Sequence, residues 1–109
     1  MVDHQSEALE HLSQELTSHY SIKTHTMTLD LTRSDTVSHV MKQIRARNCR
    51  LMVYNAAYGP IMSFIDYSPD QLDTTINVNI RSQLQLIHAF SIHTKSLRMP
   101  GGIVIMSSL

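Results

Sequence analysis

Two short runs with almost no polar character, Leu51-Met52-Val53-Tyr54 and Ile103-Val104-Ile105-Met106, constrain this 109-residue chain more than any other feature. Runs of that length, without polar alternation, suit strands buried on both faces of a parallel sheet. A third segment, residues 21–29, is rich in β-branched and apolar side chains (Ile22, Thr24, Thr26, Met27, Thr28, Leu29) and predicts another strand. Patterns of helical period alternate with these runs. Leu9, Leu12 and Leu16 mark an amphipathic helix over residues 6–19. Val37, Val40, Met41 and Ile44 mark a second, with Ser34 as its expected cap. Ser68-Pro69-Asp70-Gln71 combines an N-cap serine, an early proline and a capping-box glutamine, and opens a long helix ending near Leu97. The order α, β, α, β, α, β in a chain of single-domain length predicts an α/β fold around a parallel sheet.

In such sheets ligands bind beyond the carboxyl ends of the strands. That rule marks Asp30, then Asn55-Ala56-Ala57, then Ser107-Ser108. The long helix adds a fourth candidate. Its first apolar stripe, Leu72, Ile76, Leu86 and Phe90, is interrupted by Asn79, and a buried amide must find hydrogen-bond partners. Two readings are open: a structural asparagine bonded to backbone or water, or one that bends the helix and holds a water beside a reaction centre. A second stripe, Ile76, Ile80, Leu84 and Ile87, predicts that the helix is covered on two sides.

Composition narrows the classes of function. Nine Lys+Arg balance nine Asp+Glu, so no nucleic-acid partner and no anionic membrane surface is expected. No apolar stretch approaches the about 20 residues of a membrane span. Asp3, His4, Gln5 and Glu7 stand where a signal peptide would be basic and then apolar, so a cytoplasmic protein is expected. Cys49 is the only cysteine, which excludes an intramolecular disulfide. His11 with Glu15 has i, i+4 spacing on a helix and His88 and His93 are five apart, but no third ligand is placed beside either pair, and no metal site is expected.

Four motifs then occur in a recognisable order. Leu51-Met52-Val53-Tyr54-Asn55-Ala56-Ala57 is similar to a strand ending in N-N-A-G, written here Y-N-A-A. Asp30-Leu31-Thr32 is similar to a D-[LV] pair closing the preceding strand. Ile76-Asn77-Val78-Asn79 is similar to a helical x-x-V-N signature, and Gly102-Ile103-Val104-Ile105-Met106-Ser107-Ser108 to a strand leading to an active-site serine. Together they resemble the short-chain dehydrogenase/reductase family over nearly the whole chain. The resemblance implies an incomplete Rossmann-type parallel sheet, the family's third to fifth strands with intervening helices. Residues 1–109 would then be a partial NAD(P)-binding domain, truncated at both ends.

The same resemblance implies roles. Asp30 would bond the adenine amino group with the Leu31 backbone beside it, and Asn55 and Ala56 would line the adenine-ribose side. Asn79 would be the catalytic asparagine whose backbone holds a relay water. Ser108 would bond the substrate oxygen, with Ser107 as the alternative if the register slips by one. Asp3 falls where the family's second strand ends and would bond the ribose hydroxyls, which tilts the cofactor from NADP toward NAD; His4 holds a position often basic in NADP users. The implied activity is hydride transfer between a nicotinamide and a small-molecule carbonyl or secondary alcohol, in a parent enzyme that is a homo-oligomer.

Two departures qualify this. The three glycines, Gly59, Gly101 and Gly102, do not form the family's T-G-x-x-x-G-x-G turn, and none of Tyr20, Tyr54, Tyr58 and Tyr67 has a lysine four residues on. These residues alone are therefore expected to be inactive. In the family the third strand is separated from the fourth by the first two, so open strand edges are also expected. The alternative reading is a non-catalytic fragment that pairs through its long helix with a full-length relative.

Overall fold

The computed structural model describes residues 1–107. The order is β1 (Val2–Asp3), α1 (Ser6–Tyr20), β2 (Met27–Thr28), α2 (Thr36–Ala46), β3 (Leu51–Tyr54), a short 3-10 turn (Phe64–Asp66), α3 (Pro69–Ile76), a π-helical segment (Asn77–Ser82), α4 (Gln83–Leu97) and β4 (Gly102–Ile105). The chain divides into two compact units, Met1–Leu31 and a second unit that begins at Thr32.

The first unit is a β-α-β arrangement. β1 and β2 run parallel, with Val2 opposite Met27 and Asp3 opposite Thr28. The Met27 N–H donates to the Met1 carbonyl at 3.0 Å, and the Leu29 N–H to the Asp3 carbonyl at 2.9 Å. α1 buries Leu9 and ends at Ser21 in the left-handed region (φ 52°), whose N–H donates to the Thr17 carbonyl. The strand expected over residues 21–29 shrinks to Met27–Thr28, because β1 presents only two residues for it to pair with. The pairing itself is an addition: a two-residue strand carries no periodicity by which to find it.

The second unit is built on β3 and β4, which pair in parallel over four residues from Leu51–Gly102 to Tyr54–Ile105. The Gly102 N–H to Arg50 carbonyl bond (2.8 Å) and the Met106 N–H to Tyr54 carbonyl bond (2.9 Å) extend the ladder at both ends. α2 packs on α4, and the buried side chains come from α2 (Thr36, Val40, Met41), β3 (Met52, Tyr54), the π segment (Ser82) and α4 (Leu86, Phe90, His93). At Gly101 a Cβ would lie 2.5 Å from Thr94 Cγ2 and 3.2 Å from the Arg50 carbonyl, so glycine lets α4 close onto the entry to β4.

Three expectations are corrected. The apolar strands are covered on one face only: Met52 and Tyr54 are buried, whereas Leu51 and Val53 are 62% and 56% exposed, and β4 is largely open. Ser34 does not cap α2. Asp35 occupies the cap position and makes no side-chain cap bond, because the Arg33 guanidinium takes its carboxylate through two 3.1 Å hydrogen bonds and holds it below the usual carboxylate range. The long helix is also interrupted by the π segment. The buried line is Ser82 at the end of the π segment and Leu86, Phe90 and His93 in α4, so Leu86 and Phe90 of the expected stripe are buried, while Ile76 from that stripe and Ile80 and Leu84 from the second are exposed.

The start of α3 matches expectation closely. The Gln71 N–H donates to Ser68 Oγ at 3.2 Å and the Ser68 N–H to Gln71 Oε1 at 2.9 Å, with Pro69 opening the helix. Ser68→Ala removes the acceptor and is expected to lower the unfolding free energy by about 1 kcal/mol in urea titration; no change would mean that the cap does not hold α3.

Candidate functional site

The carboxyl end of β3 is tied to the π segment at two neighbouring residues. Tyr54, the last residue of the strand, is buried, and its hydroxyl must find a partner. It donates to the Val78 carbonyl at 2.5 Å. One residue further along the helix, the Asn79 carboxamide takes both backbone groups of Tyr58: Oδ1 accepts the Tyr58 N–H at 2.8 Å and Nδ2 donates to the Tyr58 carbonyl at 2.7 Å. The Asn79 side chain thus bonds to backbone, within a helix that departs from α geometry. Asn55 and Ala56 lie exposed between the two ties.

Beyond Tyr58, the Tyr67 hydroxyl donates to the Pro60 carbonyl at 2.9 Å, and the Tyr67 and Phe64 rings pack with centroids 5.5 Å apart. The adjacent Asn77 Oδ1 is buried without a partner. Ser107 stands exposed just past the carboxyl end of β4, and Ser108 lies outside the described residues.

In the first unit, Asp3 and Asp30 both lie at the carboxyl end of the β1–β2 pair. Asp3 Oδ1 accepts the Gln5 N–H at 3.0 Å and lies 3.1 Å from His4 Nδ1. A shallow depression follows, lined by His4, Gln5, Ser6, Glu7 and Ala8. Asp30 is exposed and Leu31 half-buried. The candidates thus fall into one group per unit, Asp3 with Asp30 and Leu31, and Asn55 with Ala56, Asn79 and Ser107. Among the described residues no three His, Cys, Asp or Glu side chains gather as a metal site would require, and no helix is long and apolar enough to cross a membrane.

Sequence reasoning gave no part to Tyr54. The signal was present, since a phenol in an otherwise apolar strand has one group that burial cannot satisfy, but its ring counts as apolar in the pattern.

The sequence model of the family described as short chain dehydrogenase matches residues 1–109. The chain belongs to that family. Solved oxidoreductase structures share the fold. The bulky-bulky ketone specific alcohol dehydrogenase from Comamonas testosteroni superposes with a TM-score of 0.91 at 19% identity, covering 100% of this chain and 44% of that one. A short-chain dehydrogenase from Sphingobium yanoikuyae in complex with NADPH gives 0.89 at 19% identity, covering 99% and 42%. L-sorbose reductase from Gluconobacter frateurii, complexed with NADPH and L-sorbose, gives 0.86 at 15% identity, covering 99% and 41%. The chain therefore spans less than half the length of these structures. No curated protein matches it.

Burial raises the Tyr54 phenol above its ordinary value of 10.0. The folded chain then holds the Tyr54 proton more tightly than the unfolded chain. The stability this provides is complete below pH about 10 and is lost as pH rises through the folded-state value. In an ultraviolet titration one tyrosine is expected to ionise above the others, and Tyr54→Phe to remove that late step; a late step that survives the substitution would place the raised group elsewhere.

Proposed function

We propose that this chain is the central segment of an NAD(P)-dependent short-chain oxidoreductase, in which hydride passes between a nicotinamide and a carbonyl or secondary-alcohol carbon. The observation that carries the reading is the Asn79 clamp on Tyr58, a polar tie inside a π turn at the carboxyl end of a parallel strand, where α/β sheets place their ligands. When bound, the cofactor would supply or accept the hydride; the residues here bind and orient.

In the first unit Asp3 and Asp30 follow adjacent paired strands; by the family resemblance Asp3 would bond the ribose hydroxyls and Asp30 the adenine amino group, with the Leu31 backbone beside it. In the second unit Asn55 and Ala56 would contact the cofactor, and the Asn79 backbone would hold a water for proton transfer. Ser108, or Ser107 one residue before it, would bond the substrate oxygen. Neither a glycine-rich turn nor a Tyr-x-x-x-Lys pair occurs in these 109 residues, so by themselves they would position ligand without turnover. The parent enzyme would be a cytoplasmic homo-oligomer acting on a small carbonyl or alcohol compound.

NAD is favoured over NADP in this reading. Asp3 ends β1 and Glu7 lies in the first turn of α1, and their charges would oppose a 2′-phosphate. In NMR titrations of the chain, NAD is expected to shift the amide signals of Asp3, Asp30 and Leu31 at lower concentration than NADP. An equal response would remove the preference, and no response to either would contradict the reading.

The exposed stripe Ile76, Ile80 and Leu84 favours a second reading, a non-catalytic fragment that pairs through its long helix with a full-length relative. Co-elution with such a relative would support it, and separate elution would exclude it.

A further inference from the structure

Tyr54 stands where the N-N-A-G pattern has its first asparagine, and neither the family pattern nor the reading above assigns it a task. Its hydroxyl and the Asn79 carboxamide act on consecutive points of one turn, Val78 and Asn79, and they hold the two ends of one short segment, Tyr54 and Tyr58. The result is a closed ring: strand end, residues 55–57, Tyr58, Asn79, Val78 and back to Tyr54. A π turn is a rare register that persists where outside groups hold it. Both ties reach it from outside the helix, one from β3 and one from the loop after it.

We propose that Tyr54 is a positioning residue of the site. By giving its proton to the Val78 carbonyl it keeps the Asn77–Ser82 turn in its widened register, so that the Asn79 carboxamide meets both backbone groups of Tyr58 and the segment carrying Asn55 and Ala56 is held at both ends. The significance of that segment for cofactor binding rests on the function proposed above; the coupling itself does not.

The test is amide hydrogen exchange on the full 109-residue chain. Tyr54→Phe keeps the ring and removes only the hydroxyl. Exchange at the Tyr58 N–H is expected to quicken about tenfold, the scale of one lost hydrogen bond, while the Gly102 N–H in the β3–β4 ladder stays within about twofold. In an Asn79→Ala background, where the Tyr58 N–H has already lost its acceptor, Tyr54→Phe is expected to add nothing at Tyr58. Unchanged Tyr58 exchange would overturn the proposal, and so would equal quickening at Gly102, which marks general loosening. Should Tyr54→Phe fail to fold, the wild-type chain decides: a resolved Tyr54 hydroxyl proton signal in dipolar contact with the Val78–Asn79 backbone is expected, and its absence overturns the proposal. Neither readout involves a cofactor, so failure of NAD to bind would sink the oxidoreductase reading and leave this one standing.

Discussion

The second unit turns on one constraint: a helix that departs from α geometry is tied from outside at two consecutive residues, by the end of β3 and by the loop after it. The Tyr54 hydroxyl and the Tyr58 backbone meet Val78 and Asn79 in sequence, so strand, loop and helix are fixed as one piece. The buried line begins at Ser82, the last residue of the π segment, and continues through Leu86, Phe90 and His93 of α4, on which α2 packs, while Ile76, Ile80 and Leu84 are exposed. A single local irregularity thus joins the second unit's core to its candidate residues.

Around that piece the sheet is economical. β3 and β4 pair over four residues, and the Gly101 approach to Thr94 lets α4 lie against the start of β4. Met52 and Tyr54 face this packed side, while Leu51 and Val53 remain exposed on the other. The strand sequence suits a sheet covered on two faces, and the chain spans 44% and 41% of two solved structures whose fold it shares.

How much of this could be read from the residues depends on whether a feature leaves a pattern. The capping box at Ser68 and Gln71 is a local code and was legible in full, as was the parallel pairing implied by the apolar runs at Leu51 and Ile103. Asn79 was legible as an exception, a polar residue on an apolar stripe. The π turn was not, since Asn77-Val78-Asn79-Ile80-Arg81-Ser82 holds no glycine or proline to mark a break. The cap of α2 was misplaced because an Arg33–Asp35 pair competes with capping, and burial on both strand faces was expected because sequence records a strand's preferred surroundings, not what covers it here.

The central claim, that the Tyr54 and Asn79 ties act through one turn, is most directly tested by a double-mutant cycle on unfolding free energy with Tyr54→Phe and Asn79→Ala. The two side chains reach different residues, so any coupling must pass through the π segment and the loop between them. A coupling energy of about 0.5 kcal/mol or more is predicted. Strict additivity of the two substitutions would contradict the account.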